Sequence, residues 1–157
     1  MTVRRIVLVL LATLLATLAV GPLTAPGAAA ATEEQRKYAK AAFRTTNAER
    51  VEHDKGRLKH NDCLQKYANR QAKLLAGTGD LVHQVLNPIL DNCNLSLVGE
   101  NLAIGYETGR KVVRQGWMKS PLHRANILEP RYRRMAIAAR QTDDGQWVAV
   151  QLFGRKA

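Results

Sequence analysis

The chain is 157 residues long and carries 24 Lys and Arg against 13 Asp and Glu, a formal net charge of +11, with two cysteines. This length suits one domain with a single core and is short for two. The basic residues are scattered, as in Arg36-Lys37, Lys55 to Lys59 and Arg131 to Arg134, with no zinc-finger, basic-zipper or aromatic-rich RNA-binding pattern, which argues against nucleic acid as a partner.

Arg4 and Arg5 precede an unbroken apolar or small run from Ile6 to Val20, followed by Gly21-Pro22 and the small residues Ala28-Ala29-Ala30. The run is shorter than the ~20 residues a membrane-spanning helix needs, and its flanks have the character of a cleavable export signal. We expect residues 1–31 to be a signal peptide, cleaved near Ala30 or Ala31, and residues 32–157 to form the domain. No later segment is long and apolar enough to span a bilayer. Arg4 and Arg5 are the only charges in the signal, so its removal lowers the net charge by two, to +9. Such a protein is drawn to anionic surfaces, lipid headgroups or acidic wall polymers, by an attraction that salt weakens. Export also puts Cys63 and Cys93 in an oxidising compartment, where an even pair bridges. The bridge would close a loop of about thirty residues and contribute about 2–4 kcal/mol by restricting the unfolded chain. A catalytic cysteine is the weaker reading, because bridging consumes its thiolate.

From Glu33 to about His53 the residues are good helix formers without Pro or Gly, with Tyr38, Ala41, Ala42 and Val51 as a loose apolar face and Gly56 as the stop. Asn61 and Asp62 can cap a second helix, whose stripe of Leu64, Tyr67, Ala68, Ala72 and Leu75 is the clearest helical signal in the chain. Gly77-Thr78-Gly79 ends it, and the stretch up to Gly99 reads as a loop or short helix around Asn87-Pro88 and Asp91 to Asn94. A third helix is expected from about Gly109 to Lys119, turning Val112, Val113 and Trp117 inward. Ser120-Pro121 resets the chain into a new helix capped by Ser120, with His123 in its first turn. Met135 to Arg140 and Trp147 to Phe153, joined across Asp143-Asp144-Gly145, read as a β-hairpin.

Four clusters stand apart from this scaffold: His83, Gly99-Glu100-Asn101-Leu102-Ala103, the block Trp117 to Ile127, and Val150-Gln151-Leu152-Phe153-Gly154. Together with Asn47-Ala48-Glu49-Arg50, their order and spacing resemble the motifs of the CAP superfamily. These are the cysteine-rich secretory, antigen and pathogenesis-related proteins, which share the SCP domain, and the resemblance is to their short bacterial branch. It runs from about Phe43 to Gly154. It implies an α+β fold, a three-layer α-β-α sandwich with a central, mainly antiparallel sheet. It also implies an open cleft lined by His83, Glu100 and His123, with Ser120 and Asn126 beside them. Longer members carry a second acid three positions after the tryptophan; here Ser120 stands there, which leaves a three-residue site.

Two imidazoles and a carboxylate are the donor types of a zinc site with an open position, at which bound water is acidified. His83, Glu100 and His123 are therefore candidate ligands for a divalent metal such as zinc. Forty residues separate the two histidines and no H-E-x-x-H is present, so spacing supplies no metal geometry, and each ring could instead bridge neighbouring segments. The trio suits loop or first-turn positions, and a helix start should keep His123 neutral. Ser120 with His123 does not make a serine hydrolase: there is no G-x-S-x-G elbow, and the cap role explains Ser120. Trp117 reads as core, Asn101 and Asn126 as hydrogen-bonding ties, Arg124 and Arg131 to Arg134 as a solvated rim, and His53 and His60 as surface groups.

Two functions fit this reading. The first is a secreted, extracellular, monomeric binding module for a small hydrophobic or lipid-like ligand or a cell-wall component, as the resemblance implies for members that bind sterols and lipids. The second is a metal-dependent extracellular hydrolase with Glu100 as the candidate catalytic general base. The first is favoured.

Overall fold

The computed structural model describes residues 31–157, and the expected signal segment before Ala31 lies outside the described residues. Helix α1 (Glu33–Glu52) starts in a capping box, in which the Thr32 hydroxyl and the Gln35 side chain each satisfy the other's main-chain N–H. After the short strand β1 (Lys59–His60) comes α2 (Asp62–Thr78), where Asn61 Oδ1 accepts from the Leu64 amide at 2.9 Å and Gly79, at φ 76°, closes the far end. These are the caps that the sequence places there. Helix α3 (Asn87–Asn92) carries Pro88 in its first turn. The Cys63–Cys93 disulfide joins the start of α2 to the end of α3, with the Cα atoms 5.7 Å apart.

Strand β2 (Leu95–Ile104) follows directly, and it corrects the expectation of a loop or short helix up to Gly99. It also moves Glu100 out of the loop expected for it and onto a strand. The predicted helix from Gly109 to Lys119 is broken into three: α4 (Gly109–Lys111), a π turn over Val112–Gly116 and a 3₁₀ turn over Trp117–Lys119. Gly116 leaves helical geometry at ψ −88°, and a Cβ there would come within 2.7 Å of the Tyr106 ring. Helix α5 (Pro121–Leu128) starts at Ser120 as expected, but the Ser120 side chain makes no capping hydrogen bond. The hairpin is β3 (Arg134–Gln141) and β4 (Trp147–Lys156).

The sheet order is β1-β3-β4-β2, antiparallel except for the β1–β3 pair. Its period of two is visible in the core. Met135, Ile137 and Ala139 join Tyr38, Ala42, Val112, Val113 and Ile127 on the α1 side. Ala136 and Ala138 join Leu64, Ala68, Ala72 and Leu75 on the α2 side. The result is the expected α+β three-layer α-β-α sandwich with a central, mainly antiparallel sheet. Val51 departs from its predicted role and is 46% exposed. Gly109 permits α4 to cross α1 at backbone contact, since a Cβ there would sit 2.1 Å from the Tyr38 carbonyl oxygen.

Candidate functional site

Strand β2 is an edge strand, so every second residue turns its carbonyl away from β4. Side chains from the following segments take up these groups. Asn126 Nδ2 donates to the Glu100 carbonyl at 3.2 Å, and Trp117 Nε1 to the Leu102 carbonyl at 3.0 Å. Gly99 has to be glycine here, because a Cβ would meet Tyr132 Oη at 2.1 Å, and Tyr132 is itself stacked on Phe153. The wall of the site is thus built from β2, with α5 fastened along its outer edge.

Asn101, fully buried, extends the fastening inward. Its Nδ2 donates to the His123 carbonyl at 3.1 Å and to Gln151 Oε1 at 3.0 Å, while Asn126 Nδ2 donates to Asn101 Oδ1 at 2.9 Å. Gln151 Nε2 reaches Thr46 Oγ1 on α1 at 2.9 Å. Buried amides need partners, and here they form a chain that fixes α5 to the sheet and to α1. Asn101 and Asn126 are therefore the ties that the sequence suggested.

On the other side, the segment between α2 and α3 is held at two points. Gln71 Nε2 donates to the Val82 carbonyl at 2.6 Å, and Glu100 takes the rest. The Glu100 side chain is 1% exposed. Its Oε1 meets His83 Nδ1 at 2.8 Å and accepts from the Gln84 amide at 3.2 Å, and its Oε2 accepts from Gln84 Nε2. The His83 side chain remains 59% exposed, so the carboxylate holds the ring by Nδ1 at the protein surface.

His123 lies in the first turn of α5, as predicted. Burial, and after it the charge of His83, holds its imidazole below the ordinary histidine range. The direction matches the expectation, but the causes are burial and a neighbouring ring rather than the helix start. A histidine with a lower pKa folded than unfolded takes up protons preferentially in the unfolded chain, so stability falls as pH drops below the unfolded value of about 6.5. Replacing His123 with Gln is expected to flatten that loss, read as Tm against pH in the presence of a chelator. An unchanged slope would show that His123 is not the group responsible.

His83 and Glu100 are thus in contact at the open edge of β2, and His123, whose carbonyl is held by Asn101, lies near enough to feel the charge of His83, although the three come from separate segments. Asn126 belongs to the same construction, while Ser120 only marks the start of α5. Among the described residues no three His, Cys, Asp or Glu side chains are disposed as a metal-ligand set. The arrangement offers two imidazoles, with Glu100 behind one of them. Gln71, Gln84 and Thr46 were not singled out from the sequence, and no motif marks them, whereas Gln151 belongs to the closing Val150–Gly154 cluster. A separate apolar cavity of about 670 Å³ lies across the sheet between α1, α2 and β3, lined by Phe43, Ile137, Ala138 and Ala139 among others, and includes none of the site residues.

The rim reading holds in part: Arg124 is exposed, and Arg131 pairs with Glu129 at 2.8 Å. His60 is exposed, whereas His53 caps α1 and its Nδ1 lies 2.8 Å from the Glu49 carbonyl oxygen.

Solved structures share this fold. An outer surface protein from Borrelia burgdorferi superposes with a TM-score of 0.68 at 23% identity, covering 75% of this chain and 92% of its own. An extracellular protein containing an SCP domain from Bacillus anthracis gives 0.68 at 23% identity, covering 78% of this chain, which spans only 41% of that protein. NaASP2, solved with Zn2+, gives 0.60 at 10% identity, covering 82% and 85%. No curated protein matches the chain in sequence. The model of the CAP domain, the cysteine-rich secretory protein family, matches residues 43–153, from the second half of α1 into β4, and so takes in His83, Glu100 and His123. By that match and by its fold, the chain belongs to the cysteine-rich secretory protein family.

Proposed function

We propose that the chain is a secreted, extracellular binding module whose cleft at His83 and His123 takes a divalent metal and a small hydrophobic or lipid-like ligand. The observation that carries this reading is the His83 Nδ1–Glu100 Oε1 contact of 2.8 Å, made by a carboxylate buried in the sheet. A carboxylate in this position fixes the tautomer that places a proton on Nδ1 and a lone pair on Nε2, the arrangement found behind metal-bound histidines. His123, kept neutral, adds a second nitrogen. Two imidazoles suit zinc, which supplies Lewis acidity when bound, with the remaining positions left to water or to the ligand's own donors.

Glu100 supports binding over turnover. Both of its oxygens are engaged, by His83 and by Gln84, and its side chain is 1% exposed, so it offers no free oxygen to a water as a general base. The hydrolase alternative therefore has the weaker support. An extracellular setting is supported by the Cys63–Cys93 disulfide and by relatives that are outer-surface or extracellular proteins.

Calorimetry with zinc tests the site. Binding is expected near neutral pH and should disappear as the histidines protonate. The double change His83→Ala with His123→Ala should abolish it, and Glu100→Gln should weaken it by about 10–100-fold without removing either nitrogen. Unchanged affinity in the double variant would remove the metal from this reading. Native mass spectrometry of the purified protein tests the lipid, with a co-purifying mass that is lost after delipidation as the expected result.

A further inference from the structure

Six large apolar side chains stand open to solvent among the described residues, and they are concentrated. Val82, Val85 and Leu122 are 64%, 74% and 81% exposed, with Leu81 and Leu74 also open. Val82 and Val85 bracket His83 and Gln84, whose side chains are both held by Glu100. Leu122 precedes His123, whose carbonyl is held by the adjacent Asn101. Two segments anchored to neighbouring residues of one strand, Glu100 and Asn101, thus each carry exposed apolar tips. Leu74 is on the last turns of α2, which lead into the first segment, and the sixth residue, Val51, is on α1.

The fold gives no reason for these tips. Gln71, Glu100 and Gln84 hold the segment through polar groups, and Ser120-Pro121 would start α5 whatever residue followed. Exposed apolar groups gathered in one place mark a surface that meets something apolar. Their neighbours are basic: Arg70, Lys73, Lys119 and Arg124 are all exposed, against Asp80 as the one acid in the segments 70–85 and 119–126. Apolar tips set among cations are complementary to a bilayer interface with anionic headgroups. An acidic wall polymer would satisfy the cations but gain nothing from four exposed aliphatic groups.

The geometry points to a membrane-docking face: Val82, Val85 and Leu122, with Leu81, insert among the lipids of an anionic surface and place the mouth of the His83–His123 cleft against it. This rests on the reading of the cleft as a site for lipid-like molecules and adds where such a molecule comes from, the bilayer rather than free solution. Insertion is shallow, because the tips are short and polar side chains follow immediately behind them.

Cosedimentation of the purified protein with vesicles of equal parts phosphatidylcholine and phosphatidylglycerol tests the face. The double variant Val85→Ser with Leu122→Ser, both at exposed positions, is expected to partition at least about tenfold less at low and at high salt, and Lys119→Gln with Arg124→Gln to lose mainly the salt-sensitive part. Leu122→Trp gives a direct readout: its emission should shift to the blue on vesicle addition and be quenched by brominated acyl chains, above the background of buried Trp117 and half-buried Trp147, measured on the parent protein. Partitioning by the double Ser variant equal to that of the parent, or no quenching at position 122, would overturn the proposal and leave charge alone as the source of any association. Zinc binding measured without vesicles reports separately on the cleft, so a failure there is distinguishable from a failure of docking.

Discussion

Replacing Arg50 with Met is expected to lower the stability of the domain by about 3–5 kcal/mol, a fall in Tm of roughly 10–20 °C. Arg50 is fully buried, and its hydrogen-bond partners are main-chain carbonyls: Nε donates to Gly56 at 2.7 Å, and Nη1 to Ile127 at 2.6 Å and Glu129 at 3.0 Å. Two of these lie at the end of α5, where carbonyls have no partner within the helix and the dipole is negative. Burial and the nearby Arg133 both work against the guanidinium charge, and Glu129 works for it. The helix end is therefore what makes a buried cation tolerable here. Met conserves most of the volume but leaves those carbonyls unpaired, and each such orphan costs about 1–3 kcal/mol. Arg50→Lys should recover only part of the loss, since one ammonium cannot reach three carbonyls in the planar fork that Arg presents. A loss below about 1 kcal/mol in urea unfolding would mean that water replaces the guanidinium without strain.

Trp117→Ala should cost a similar amount, about 3–5 kcal/mol, for a different reason. Trp117 is the largest fully buried side chain among the described residues, in the α1-side core, and its Nε1 covers the Leu102 carbonyl on the open edge of β2. The change leaves a cavity and an orphan acceptor together. Trp117→Phe separates the two: it keeps most of the apolar contact and loses only the hydrogen bond, with about 1–3 kcal/mol expected. If Phe proves as damaging as Ala, the unpaired Leu102 carbonyl and not the cavity governs this position.

Helix α2 was legible because its stripe, its Asn61 cap and its Gly79 stop agree with one another. The β3–β4 hairpin was legible because apolar runs flank turn residues. Strand β2 was not: Gly99, Glu100 and Asn101 interrupt its centre with residues that strands disfavour. Each is explained only by a partner distant in sequence, Tyr132 for Gly99, His83 and Gln84 for Glu100, and Gln151 and His123 for Asn101. The helix expected over Gly109 to Lys119 was undone at Gly116 by the approach of Tyr106, which periodicity does not encode. Arg50 shows the same limit, since a charged residue in a helical stretch carries no sign that it will be buried. The candidate site residues His83, Glu100 and His123 were named through the resemblance of their motifs, and their contacts could not be read from spacing. Gln71 and Gln84, which hold the His83 segment in place, have no pattern of their own.

Strand β4 has its neighbours β2 and β3 on either side, yet it is the last element in the chain. A nascent polypeptide that has emerged only as far as Asp144 can form α1, α2 and the Cys63–Cys93 bridge, but neither of the long ladders, because both need Trp147–Lys156. Both long ladders of the sheet therefore close together, when β4 docks between β2 and β3, and the two helical layers have no complete sheet to pack on before that step.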